Sequence, residues 1–295
     1  MNHIHHDHAL AVLHALPFTT EETALMEAAA ATLDWEQLSP MIEQLQHPAT
    51  AEAAKNAAYE LIAEQDRTHH GIAGMCVFAA GMYGTAKRLY AQGISKQVLL
   101  DTFCCLHRMA GEYRREFGYF GFDRGFWVWR QTCGTLVRLG TLEFEYLPAL
   151  SEWAAGITGL QAGLPVLSVH IPSAADLSRE ALDDSYQQAR TFYREHPCMC
   201  LKDGQVPQGI ICNSWLLSPT LRTLLKPNSG IRRFAEDFQL CHSEAESKGC
   251  WHFLFMAKDD VAPADLPENT SLQRSVKAHL MAGGGIGGGF GLLKR

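Results

Sequence analysis

The chain has 295 residues, 47% of them hydrophobic and 19% charged, which is enough apolar content to bury the core of one large domain or two ordinary ones. Asp and Glu (32) outnumber Lys and Arg (25), and the formal net charge of −7 excludes a nucleic-acid binder of the usual basic kind; the stretch holding Arg114, Arg115, Arg124, Arg130 and Arg138 also carries Glu112, Glu116 and Asp123. No run approaches about 18 apolar residues and the first fifteen positions hold five histidines, so neither a membrane span nor a leader is expected, and the reading places the protein in the cytoplasm.

The opening His3, His5, His6, Asp7 and His8 have the donor chemistry of an adventitious metal binder, but their terminal position predicts a frayed, solvated end. From Thr19 to about Leu106 the pattern is helical: a start at Thr20 followed by the acids Glu21 and Glu22, then a helix near Thr50 with Ala54, Ala57, Ala58, Leu61 and Ile62 on one face. A third helix spans Gly71 to Ala91, and a fourth runs from Ser95 through Arg115. Between Phe117 and Trp129 lies the densest aromatic cluster, which suits either a wall for an acyl chain or a core at a domain junction, the second being preferred.

After Gly134 the texture changes. Leu142 to Leu147 alternates apolar and acidic residues, the signature of a half-buried strand with its glutamates in solvent, and Val166 to Ile171 is the next strand, stopped by Pro172. A helix follows from Ser178 to His196 with Leu182, Tyr186, Ala189 and Tyr193 at helical spacing. Then come a strand over Gly209 to Leu217, a helix opening at Ser218-Pro219, another near Ile231, and strands over Phe238 to Cys241 and Trp251 to Met256. A capped helix starts at Asn269-Thr270-Ser271, and seven of the nine residues from Gly283 to Gly291 are glycine, read as a terminal strand under close contact rather than a loose tail. Strands interspersed with helices indicate an α/β or α+β layered domain.

Nine scattered cysteines, an odd number, predict reduced thiols, and the Cys198-Met199-Cys200 spacing suits no metal site. The run from Cys212 to Arg222 takes a strand into a helix N-terminus, with Ser218 as cap and Pro219 in the first turn, where free amides attract anions. Ordinary capping without a ligand is the commoner outcome of such a sequence. Arg274 and Lys277 offer a second anion candidate beside the start at Asn269.

His170-Ile171-Pro172, Ser214-Trp215-Leu216-Leu217-Ser218-Pro219, Leu266-Pro267-Glu268-Asn269-Thr270-Ser271-Leu272-Gln273-Arg274 and the glycine-rich ending together resemble a bacterial family of acyltransferases, with Arg138 to Glu145 similar to that family's lead into its sheet. The resemblance implies an α+β protein: a helical N-terminal domain over 1–133 followed by a GNAT-like (N-acetyltransferase-type) mixed α/β sheet domain over 134–295. It implies acyl transfer from acetyl-CoA or another acyl-CoA to an amine or similar small-molecule acceptor, with no nucleic acid or membrane partner; the oligomeric state is left open. The family's phosphate loop, Gln/Arg-x-x-Gly-x-Gly/Ala, is only half matched by Gln131-Thr132-Cys133-Gly134-Thr135, which Leu136 spoils.

Within that reading the coenzyme candidates are Trp215, Leu216, Leu217, Ser218, Thr220 and Arg222. Glu143, Glu145 and His170 are candidate bases, because an attacking amine must lose a proton. Ser214 is a candidate oxyanion donor, and Cys212 with His170 is a candidate for covalent catalysis, against an inert buried thiol. Two competing readings are a ligand-binding or regulatory protein that keeps the fold without turnover, and a cysteine-dependent transferase or hydrolase.

Overall fold

The computed structural model describes residues 3–258 and 260–294, and these fall into two compact units, residues 1–139 and 140–295. The first is helical: α1 (Ile4–His14), α2 (Thr20–Ala30), α3 (Trp35–Leu45), α4 (Ala51–Leu61), α5 (Ala63–Thr68), α6 (Ile72–Ala91), α7 (Lys96–Phe103), α8 (Cys105–Phe117) and α9 (Gly125–Cys133), ending in β1 (Leu136–Leu139). The second continues with β2 (Leu142–Leu147), α10 (Glu152–Thr158), β3 (Val166–His170), α11 (Arg179–Glu195), β4 (Ile210–Ser214), α12 (Pro219–Leu224), α13 (Gly230–Glu236), β5 (Phe238–Glu244), α14 (Gly249–Phe253), α15 (Ser271–Met281) and β6 (Gly288–Leu293). Among the described residues no helix is long and apolar enough to cross a membrane.

In the helical unit α6 is the central element, with every residue from Ile72 to Met82 buried, and α1, α2, α3 and α9 pack around it. The opening histidines are not frayed. His3 caps α1 by accepting the His5 amide, His5 is buried with Ala9, Val12 and Leu13, and His8 stacks on Tyr83 at 3.9 Å, so imidazole rings serve here as flat packing surfaces. The predicted single helix from Ser95 to Arg115 is two, α7 and α8. The Thr102 hydroxyl donates to the Val98 carbonyl at 2.7 Å and accepts the Arg138 amide of β1 at 3.0 Å, which fixes the end of α7 one residue before the bend at Cys104.

Helix α2 starts at Thr20, as the acids indicate, and is capped by Thr19, which forms a reciprocal capping box with Glu22. Burial would push the Glu22 carboxyl up, but the Thr19 amide at 2.7 Å, its hydroxyl and the Arg114 guanidinium at 2.7 Å hold it below its ordinary range. A carboxyl depressed in the folded state stabilises fully above its unfolded pKa and loses that contribution as pH falls through the folded value. Glu22→Ala is therefore expected to lower stability by about 1 kcal/mol at neutral pH, and the gap in urea midpoint between variant and wild type should close on acidification. A gap that widens in acid contradicts this account.

The second unit carries a mixed sheet in which β2, β3, β4, β6 and β5 are neighbours in that order. Strand β2 runs antiparallel to β3, with Glu143 opposite His170 and Glu145 opposite Ser168; β3 and β4 are parallel, and β6 lies antiparallel between β4 and β5. Helix α11 covers one side of β2: Leu182, Tyr186, Ala189 and Tyr193 are all buried, the Tyr193 hydroxyl donates to the Phe144 carbonyl, and Ser185 Oγ accepts the Leu142 amide. On the other side α10 packs Ala154 and Ala155 against Val166, Ile211 and Phe290.

The glycine ribbon becomes a strand from Gly288 onward, as its composition predicted, while Gly283 to Gly287 form the turn and loop that lead into it. A Cβ on Gly289 would stand 2.8 Å from both Leu217 Cβ and the Leu217 carbonyl, and one on Gly291 would stand 3.0 Å from Leu217 and Phe238 side chains, so the short residues let β6 pass under that turn. The segment Trp251 to Met256 is not a strand. Its alternating aromatics suggest period two, yet Cys250, Trp251 and Phe255 are buried together with Leu266, Val276 and Leu280 while Phe253 is 70% exposed, which is helical burial. The cluster made by α12, α14 and α15 needs one apolar stripe rather than one sheet face.

Candidate active site

Strand parity sorts the predicted site residues. On β2 the side chains of Glu143 and Glu145 leave the same face, as do those of Ser168 and His170 on β3, and the antiparallel register puts all four on one side. His170 Nε2 lies 3.0 Å from Glu145 Oε2, and the two side chains are 24% and 15% exposed. A carboxylate only accepts, so Nε2 carries the hydrogen and Nδ1 is the ring's basic nitrogen. Neither glutamate is the solvated surface acid that the alternating pattern implies: Glu143 is buried and Glu145 is spent on His170.

The parallel pairing of Ser168 with Ile211 extends the same face to Ile211 and Asn213, and therefore sends Ile210, Cys212 and Ser214 to the opposite one. Cys212 and His170 are not brought together. The thiol is fully buried and burial alone pushes it far above its ordinary value, which makes it a core residue with no thiolate to offer. Alkylation of the native protein is expected to mark Cys198, the exposed cysteine, and to spare Cys212 until the chain is unfolded, with peptide mapping as the readout. Ser214 also stands away from His170, its Oγ accepting the Leu216 amide at 3.1 Å. The exposed polar side chain that does share the His170 face is Asn213, which the sequence reading passed over because nothing local reveals the register of β4 against β3.

The turn after Trp215 differs from the expected cradle. The Leu216 amide is taken by Ser214 Oγ, the Ser218 amide by the Trp215 carbonyl, and the Leu221 amide by Ser218 Oγ, while Ser218 is 1% exposed and α12 is only six residues long. Leu216 belongs to the apolar cluster with Leu221 and Trp251, and Trp215 packs against it. Leu217 and Arg222 do reach a cavity of about 340 Å³, shared with Arg232 and Phe238. Arg232 and Arg222 converge on Glu236 at 3.2 and 3.1 Å and hold its carboxyl below the ordinary range, so much of their charge is already matched. Thr220 only accepts a local bond from the Thr223 hydroxyl at its carbonyl. The half-matched phosphate loop is a helix end: Gly134 closes α9 in the left-handed conformation at φ 84°.

What the structure adds is a notch in the sheet. Pairing between β3 and β4 covers Leu167 with Ile210 and Ser168 with Ile211, and stops there, while β3 continues to His170 and β4 to Ser214. These are the parallel strands of the sheet described here, both ending in turns that lead to helices, and ligands of open sheets lie outside such carboxyl ends. His170 and Asn213 flank the notch.

Residues 136–293 match the family described as the GNAT-like C-terminal domain, and residues 7–134 match the N-acyltransferase N-terminal domain. The chain belongs to the GNAT-like family. Among curated proteins none matches it. Its solved neighbours include an acyltransferase in complex with decanoyl-CoA and teicoplanin, and an acyltransferase in complex with CoA and 10C-teicoplanin, each at 23% identity and TM-score 0.76 over 97% of this chain and 87% of the other. An acyltransferase mutant in complex with octanoyl-CoA is similar at 23% identity and TM-score 0.76, covering 98% of this chain and 88% of that one. At this identity the likeness establishes a shared GNAT-like fold behind a helical domain.

Proposed function

We propose that the protein transfers an acyl group from an acyl-CoA to an amine, with the thioester seated in the notch between β3 and β4. The observation that carries the reading is the splay of two parallel strands beside the His170–Glu145 pair, in a GNAT-like fold whose solved neighbours hold decanoyl-CoA, octanoyl-CoA or CoA. An extended pantetheine-like arm suits such a notch, where it would lie between β3 and β4 beyond their last pair in the manner of an added strand.

In the reaction the amine nitrogen bonds to the thioester carbonyl carbon, the carbon–sulfur bond breaks, and the coenzyme leaves as thiol. The attacking amine loses a proton, for which His170 Nδ1 is the acceptor, with Glu145 holding the ring and stabilising the imidazolium that forms. The thioester oxygen gathers charge as the tetrahedral intermediate forms, and Asn213 and the main-chain amides bordering the notch are the donors in place to meet it. Of the candidate residues Trp215, Leu216, Leu217, Ser218, Thr220 and Arg222, the coenzyme phosphates belong beside Leu217 and Arg222, the members that line a cavity. The acceptor is a small molecule, and the odd, scattered cysteine complement supports work in the reducing cytoplasm.

Thiol release from acetyl-, octanoyl- and decanoyl-CoA, followed colorimetrically across an amine library, tests the reading and sets the acyl length. Calorimetry with coenzyme A separates the outcomes. Absence of binding at millimolar ligand would sink the acyltransferase reading, whereas binding without thiol release from any donor would favour a regulatory protein.

A further inference from the structure

The helical unit contains a cavity of about 520 Å³ walled by Lys55 and Tyr59 of α4, Asp66 and Arg67 of α5, Phe122, and Phe126 of α9. Its floor is polar. Asp66 Oδ1 accepts the Gly74 amide at 2.7 Å, and the Tyr59 hydroxyl converges on the same spot: the two oxygens stand 3.0 and 2.8 Å from where a Cβ on Gly74 would be. A Cβ on Gly125 would stand 1.8 Å from that hydroxyl, so glycines of two different helices keep the room that it occupies. Among the described residues the hydroxyl has no hydrogen-bond partner, and the second Asp66 oxygen has none. Burial pushes both groups up, with Asp66 and Asp123 adding to the effect on Tyr59. Partly buried acceptors left in this condition are satisfied best by a cationic donor.

The lining also carries positive charge, on Lys55 and Arg67, and a second acid, Asp123, which Arg124 holds at 2.8 Å. Lys55 and Arg67 form no ion pair among the described residues, and both face the same cavity as Asp66. The turn that closes the wall is strained: His70 sits at φ 52° and Gly71 at φ 83°, and a Cβ on Gly71 would stand 1.5 Å from the Phe122 carbonyl. The His70 carbonyl accepts the Phe122 amide at 2.8 Å, which pins that turn to the start of α9. A non-glycine residue held in the left-handed region at a cavity rim is the kind of strain that persists where it shapes a site. Phe126, 59% exposed, and the buried Phe122 supply apolar surface between the charges.

We propose that this cavity binds a free amino acid with a large apolar side chain, its ammonium on Asp66 and Tyr59, its carboxylate on Lys55 and Arg67, and its side chain against Phe126. Opposed charges on one cavity select against a simple anion or a simple cation, and the volume accommodates the largest amino acids. The inference concerns the helical unit by itself and stands whether or not acyl transfer takes place in the notch.

Calorimetry on the full chain tests it with L-phenylalanine, phenethylamine, which lacks the acid, 3-phenylpropionate, which lacks the amine, and glycine, which lacks the side chain. L-Phenylalanine is expected to bind saturably, and each truncated probe at least tenfold more weakly. Asp66→Asn keeps an oxygen for the Gly74 amide and should weaken phenylalanine binding at least tenfold while leaving 3-phenylpropionate unchanged. Lys55→Ala, at a side chain with no partner to lose, should weaken phenylalanine and 3-phenylpropionate and spare phenethylamine. Absence of phenylalanine binding to wild type at millimolar concentration overturns the proposal, as does binding that Lys55→Ala and Asp66→Asn leave intact.

Discussion

Replacing His170 with alanine is expected to lower the rate constant for acyl transfer by about 10²- to 10⁴-fold, the usual contribution of a positioned base, with little change in the affinity for coenzyme A. The asymmetry follows from geometry. The imidazole sits at the end of β3 with Nε2 bonded to Glu145 at 3.0 Å, and in the proposed mechanism the ring takes the acceptor's proton and touches no part of the coenzyme. Glu145→Gln keeps a side chain of the same shape but loses the charge that stabilises the imidazolium, and should fall between wild type and His170→Ala. In the proposed mechanism Glu145 acts only through His170, so the loss should appear in kcat and leave KM for the acyl donor almost unchanged. Stopped-flow measurement of thiol release beside calorimetric binding reads both numbers. Unchanged kcat in His170→Ala would remove this residue from the mechanism while leaving the notch in place.

Gly289→Val should be the most damaging single substitution in the sheet, costing at least about 3 kcal/mol, at the upper end of what overpacking does, or roughly 10 °C in Tm for a unit of this size. The point where its Cβ would stand is already within 2.8 Å of Leu217 Cβ, the Leu217 carbonyl and Leu240 Cδ1, and a main-chain oxygen cannot rotate away. Gly289 pairs with Ser214 on one side and Ser243 on the other, so a shift of β6 would move β4 and with it one wall of the notch. Gly283→Ala provides the contrast. It too falls in the glycine ribbon, but nothing lies within 4 Å of its Cβ position, and its φ of 82° leaves only the left-handed penalty of about 1 kcal/mol. Thermal denaturation of the two variants should differ severalfold in the shift, and equal shifts would mean that crowding beneath Leu217 is not why the ribbon is glycine.

Local chemistry alone determined much of this protein. The cap at Ser178 and the apolar stripe Leu182, Tyr186, Ala189 and Tyr193 define α11, the alternation from Leu142 to Leu147 defines β2, Thr270 opens α15, and the run of glycines announces a strand too close to its neighbours for side chains. Each of these is written in residues a few positions apart. Where the deciding partner was distant the sequence was silent or misleading: the amino-terminal histidines become a helix because Tyr83 and α6 receive them, and Trp251 lies on a helix that ends at Phe253 because Trp251 and Phe255 fill a cluster with Leu221 and Val276. The candidate site shows the same division most sharply. His170, Glu145 and Cys212 were all visible as reactive side chains, but a slip of one residue in register exchanges the two faces of a strand, and register is set by packing between segments roughly twenty to forty residues apart in the chain. Only the folded sheet decided that Glu145 meets His170, that Cys212 is sealed on the far side, and that β3 and β4 part company beside them.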